Sequence, residues 1–203
     1  MKLHNRQALG CWVTTVDVIV ARMPILVFLL ILPLSAWADA FALKTEAAYA
    51  HHGMAKMKSC ETGENLPPNQ RPADYCGHPY VVAYFTDQSE REPFRVAIQD
   101  GVVHLAQPPH KIFPNGSWFF VMDQSGNFYF FRKKGEPPLH HSSFFSGAPV
   151  ASGGNIVVAD GKITALGSKT GHYLMTPKIL QNAQEALRDD GVDVGSLGSL
   201  PGD

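Results

Sequence analysis

Hydrophobic and polar residues alternate along this chain with several different periods, and each period predicts a different element. Pro24 to Leu34, "PILVFLLILPL", is an almost unbroken apolar run. From Ala40 to Lys58 the composition turns to Ala, Leu, Glu, Lys and Met, with Leu43, Ala47, Ala50 and Met54 at helical spacing, which predicts a helix. Tyr80 to Asp87, "YVVAYFTD", is a β-branched and aromatic run that reads as a buried strand. Three hairpin patterns follow. Asp100-Gly101 and Asp160-Gly161 each separate two alternating apolar runs, and Asp-Gly supplies the positive backbone angles of a tight type I′ turn. Between them, Gln124-Ser125-Gly126 separates two aromatic runs, the second of which, Phe128 to Phe131, is aromatic at every position. Such a strand needs cover on both faces, and a packed helix is the simple solution. Last comes "TPKILQNAQEALRDDG": Thr176 caps, Pro177 suits the first turn, Ile179, Ala183 and Leu187 form an apolar line, and Gly191 stops it. The fold class predicted is α+β, a curved and mainly antiparallel sheet of successive hairpins with an N-terminal and a C-terminal helix.

The early apolar run changes what the rest means. It is shorter than the roughly 20 residues of a bilayer span, and Arg22 and Asp17 interrupt its upstream extension. Ala36-Trp37-Ala38 then supplies small residues in the spacing of a signal-peptidase site. Residues 1–38 therefore read as a cleaved signal peptide, with translation starting at Met1 or Met23, and the protein as secreted or periplasmic. The expected organisation is one α+β domain over residues 39–194, made of a helix and loop (39–79) and a hairpin module (80–194), with a flexible tail over 195–203. Cys60 and Cys76 are the two thiols left after cleavage. In an oxidising compartment such a pair reads as a disulfide.

Of 17 Lys and Arg, three lie in residues 1–38, and of 18 Asp and Glu one does, so the remainder is slightly acidic. It offers no general attraction to nucleic acid. No cofactor motif is present. Neither His-Glu-x-x-His nor a Cys/His ligand spacing occurs, so no metal site is expected.

Candidate chemistry sits in two polar clusters that flank the last hairpin. His141, Ser142 and Ser143 lie before it, in "LHHSSFFSG". Gly171, His172 and Tyr173 lie after it, in "SKTGHY". A hairpin brings its entrance and exit to one end of a sheet, so the clusters should converge, with Gly171 allowing a close approach or a positive backbone angle. Convergent His, Ser and Tyr side chains suit a pocket for a small molecule or a partner's segment. The same residues suit an exported effector-type enzyme, a transferase or hydrolase with His141, Ser143, His172 and Tyr173 as catalytic candidates. A serine hydrolase is disfavoured by the absence of a Gly-x-Ser-x-Gly elbow. An ADP-ribosyl-transfer arrangement of His141, Ser143 and Tyr173 lacks the long catalytic half and terminal glutamate strand it needs. The third reading is structural: the serines cap a short helix, His172 bonds backbone, and Tyr173 buries its ring.

Lys134-Gly135, His141-Ser142-Ser143-Phe144-Phe145-Ser146-Gly147, Asp160-Gly161 and Gly171-His172-Tyr173 occur in an order that resembles the C-terminal conserved module of the plant IQ-motif calmodulin-binding protein family. The likeness runs from about Arg91 to Val194. It implies a shared fold and shared polar residues, and no defined reaction. The Arg- and Lys-rich IQ helix has no counterpart in this sequence, so the resemblance does not carry calmodulin binding with it.

Overall fold

The computed structural model describes residues 39, 41–57, 83–133 and 138–200. The signal-peptide segment, and Cys60 and Cys76 with the loop between them, lie outside the described residues. The fold is α+β, as expected. A short helix α1 (Gln88–Arg91) precedes the sheet, strands β1 (Arg95–Gln99) to β6 (Lys162–Gly167) form it, and helix α2 (Pro177–Asp189) closes it.

Each expected turn forms where its local chemistry places it. Asp100 and Gly101 take φ of 52° and 76°, and Asp160 and Gly161 take 50° and 73°. These are the left-handed pairs of type I′ turns. They join β1 to β2 (Val102–Leu105) through Gln99↔Val102, and β5 (Ser152–Ala159) to β6 through Ala159↔Lys162. The aromatic hairpin joins β3 (Gly116–Met122) to β4 (Phe128–Phe131) with Met122 opposite Phe128.

The strand order is β2-β1-β4-β3-β5-β6, and one further pair, Val102↔Lys162, joins β2 to β6 and closes the sheet on itself. A register shift at Val157/Val158 sharpens the bend beside that seam. Alternation then sorts the side chains. Val96, Val103, Phe120, Phe128, Phe130 and Ile156 fill one face, joined by Ala183, Ala186 and Leu187 of α2. Val121, Tyr129 and Phe131 point the other way and are covered by Phe144, Phe85 and Phe94. The all-aromatic strand is buried on both sides. The helix covers one face, and loop-borne phenylalanines cover the other.

Three expectations are corrected. Residues 42–57 form no helix. Their backbone is claimed by distant partners: Ala48 and Tyr49 N–H both donate to Gln124 O at 2.9 Å, and Ala55 pairs with Val150. Asn127 grips Lys44 through both its N–H and its C=O. Tertiary bonds of this kind override a weak local propensity, and Leu43, on the expected apolar stripe, is exposed. Within the expected strand Tyr80–Asp87, residues 83–86 take no strand conformation, and Phe85 serves instead as a core plug whose N–H bonds Ser143 O. Beyond Gly195 the chain is not a loose tail up to Leu200. Gly198–Ser199 form β7, parallel to β6, because Leu197 packs on the core and Leu200 N–H bonds Leu166 O.

Candidate functional site

Both polar clusters sit where the β5–β6 hairpin leaves them, and they touch. His140 N–H donates to Ser143 Oγ at 2.9 Å while Ser143 N–H donates to His140 O at 3.0 Å. This ties His141–Ser143 into one 3-10 turn. The serine does act locally, as the structural reading expects of a hydroxyl at a turn.

From that turn the side chains diverge. His141 points into the aromatic layer, with Phe119 and Phe131 each edge-on to its ring at 5.3 Å. Its Nε2 lies 2.9 Å from Gly154 O. Burial pushes the imidazole down to about 4, so at neutral pH it is uncharged and Nε2–H donates to that carbonyl. Ser142 points the other way, and its Oγ lies 2.6 Å from His172 Nδ1. The His172 ring lies flat on His140, with centroids 4.5 Å apart and 12° between planes. Burial also pulls His140 down, with Lys133 adding to the effect.

Tyr173 closes the cluster from below. Its OH donates to Ala148 O at 2.8 Å, and burial raises its phenol well above the usual value. Thr170 Oγ1 accepts from Tyr173 N–H and donates to Tyr173 O. A bridge from Met57 to Tyr173 brings the N-terminal strap onto the same edge. Gly171 departs from expectation: it is exposed, a Cβ there would meet nothing, and its φ is not in the left-handed region.

The structure thus brings together His141, Ser142, Ser143, His172 and Tyr173, and leaves Gly171 at the rim. Chemically, Ser142 and His172 have the spacing of a nucleophile and its base. Yet Ser142 and Ser143 are 0% exposed, and His141 and His172 only 4%. Two sizeable cavities, about 590 and 430 Å³, are lined by other residues.

Three buried polar residues were not singled out from the sequence. Asn182 bonds Gly53 O, Ala151 O and His52 N–H. Asn127 holds Lys44, and Arg95 reaches Phe41 O and Ala42 O while paired with Glu92. A signal for Asn182 does exist. It falls on the apolar line of its helix, three residues after Ile179 and next to Ala183, where a polar residue demands buried partners.

Residues 90–180 match the IQ motif-containing protein middle domain. That stretch holds β1 to β6 and both polar clusters. Among curated relatives, IQ domain-containing protein IQM2 of Arabidopsis thaliana is 28% identical over 120 residues, 56% of this chain and 20% of the relative. IQ domain-containing protein IQM5 of the same plant is 32% identical over 110 residues, 53% of this chain and 22% of the relative. The chain therefore spans about a fifth of the length of the curated relatives it matches. No solved structure matches it. The resemblance to the IQ-motif family module holds.

The same likeness corrects the expected destination. The curated relatives are plant IQ domain-containing proteins, and that company does not support a secreted or periplasmic protein with a signal peptide. The expected Cys60–Cys76 disulfide loses its physical ground with it. That ground was an oxidising compartment, and both cysteines lie outside the described residues.

Proposed function

We infer that this chain carries a non-catalytic interaction module of the middle-domain type, in which the His/Ser/Tyr cluster is a scaffold that fixes one edge of the barrel. One observation carries the reading. Ser142, fully buried, commits its hydroxyl to His172, and His141 commits its ring to Gly154 O. A reaction centre needs its nucleophile within reach of substrate, and a ligand pocket needs polar groups aimed into open space. Here those groups are aimed at each other. The likeness to the IQ motif-containing protein middle domain is consistent with this reading, since it brings no defined reaction with it. The partner is a protein segment on this reading.

Thermal melts of Ser142→Ala and His172→Ala test it. Each substitution strands a buried partner, so each should lower stability by about 1–3 kcal/mol. A fluorophosphonate probe should leave folded wild-type protein unlabelled. Labelling at Ser142, or full stability in both variants, would instead point to a reactive or ligand-facing serine.

A further inference from the structure

The barrel wall has a gap. β1 pairs with β4 only at Arg95↔Tyr129 and Val96↔Phe128. Phe130 and Phe131 therefore run past the start of β1, and the chain before β1 turns away through Glu92–Phe94. Beside this gap lies the cavity of about 430 Å³. That is within the roughly 300–1,000 Å³ of small-molecule sites.

Its walls come from six stretches of chain: Phe94, Leu105, Phe113, Trp118, the end of β4, and Leu139. Phe113 and Phe130 form the deep side, at 5% and 2% exposure, and the partly exposed Phe94, Leu105, Trp118 and Leu139 form the open side. Water entering such a recess finds almost no polar partner. Among the described residues the one charged side chain in the lining is Arg132. Its guanidinium stacks on Trp118 at 4.0 Å, and Gly116 next to it leaves room that a side chain would take. Among the described residues no acidic side chain lines the recess, and no carboxylate pairs with Arg132.

We propose that this recess binds a small amphipathic carboxylate, its apolar chain or ring among the aromatic walls and its carboxylate on Arg132. A compact hole ringed by six stretches of chain suits one small molecule better than an extended peptide, which needs a strip along a strand edge or helix groove. The recess shares the Phe131 ring with the surroundings of His141 but none of the cluster's polar groups, so its test on Arg132 is distinct from that of the scaffold reading above.

Isothermal titration of the full chain tests the proposal with decanoate, 2-naphthoate and decylamine. Decanoate or 2-naphthoate should bind saturably at one site, and the tighter of the two tells chain from ring. Decylamine should bind at least about tenfold more weakly, since it meets Arg132 as a like charge. Arg132→Gln should weaken the carboxylate roughly tenfold and erase the preference over the amine. Leu139→Trp should fill the recess and abolish binding. Arg132 is exposed, so its variant should fold even if Leu139→Trp does not. The idea is overturned if neither carboxylate saturates below about 1 mM, if decylamine binds equally well, or if Arg132→Gln binds like wild type.

Discussion

Replacing Asn182 asks how the N-terminal strap, the sheet and α2 are held together. The side chain is fully buried. Its Nδ2 donates to Gly53 O at 2.8 Å and to Ala151 O at 2.9 Å, and its Oδ1 accepts from His52 N–H at 3.2 Å. Asn182→Ala removes all three bonds, each worth about 1 kcal/mol net, and leaves their backbone partners short of a bond. The helix itself gains a few tenths from the better propensity of alanine. The expected loss is about 3 kcal/mol. In a domain of this size 1 kcal/mol moves the midpoint by roughly 2–4 °C, so the melt should fall by roughly 6–12 °C. Asn182→Leu keeps the branched shape of the side chain and, like alanine, raises helix propensity, but makes none of the bonds, and so separates bonding from cavity formation. Urea melts of the three proteins give the energies. Hydrogen exchange at the amides of His52 and Ala55 reports whether the strap has let go. Leucine at wild-type stability, or unchanged exchange at both amides, would refute the argument that this residue clasps three elements.

Other outcomes follow from the same geometry. Burial depresses His141 to about 4, so the unfolded chain takes up that proton first. The stability that depends on it is full above about pH 6.5 and declines by up to roughly 3 kcal/mol as pH falls to about 4. Melts across that window should be flatter for His141→Gln, and an unchanged slope would rule this histidine out as the cause. Gly101→Ala places a Cβ 2.7 Å from Gly191 O at a φ of +76°. Strain and overpacking together should destabilise by about 3 kcal/mol in a denaturant melt. A chain ending at residue 180 loses the buried side chains of Ala183, Ala186 and Leu187. Leucine alone is worth roughly 2–5 kcal/mol in a core, so calorimetry of that fragment should show no cooperative transition.

Much of the fold was legible because its signals are local. Asp100-Gly101 and Asp160-Gly161 dictate their turns whatever surrounds them, and Thr176, with the apolar line to Leu187, marks the last helix. The meeting of His141-Ser142-Ser143 with His172-Tyr173 was legible for a topological reason: a hairpin returns its ends to one place. Their burial was not. It depends on Phe85, whose N–H reaches Ser143 O from another part of the chain, and on the bridge from Met57 to Tyr173. Residues 42–57 misled for the same reason. Their alanines favour a helix, but Gln124, Asn127 and Val150 hold their backbone in another shape. Closure through Val102↔Lys162 was illegible too, since a single pair at a seam follows from accumulated sheet curvature and the bulge at Val157/Val158.

The reach of the family likeness and the reach of the packing differ, and the difference bears on what the module shares. Residues 90–180 contain the six barrel strands and the polar network. Yet the apolar face of that barrel is completed from outside the stretch, by Ala183, Ala186, Leu187 and Val192. The β1–β2 turn seats on the end of α2, where Gly101 N–H donates to Asp190 O at 3.0 Å. Lys44 of the strap bonds the same Asp190 through both carboxylate oxygens, at 2.8 Å each. Asp190 is half-buried, and burial raises its carboxyl despite the lysine, while the Lys44 side chain stays 39% exposed, so solvent partly screens the pair. One residue past the matched stretch thus gathers the first turn of the barrel and the strap that precedes it. In this chain, then, the apolar face of the barrel and its first turn both lean on residues outside the matched stretch, Leu187 and Asp190 among them.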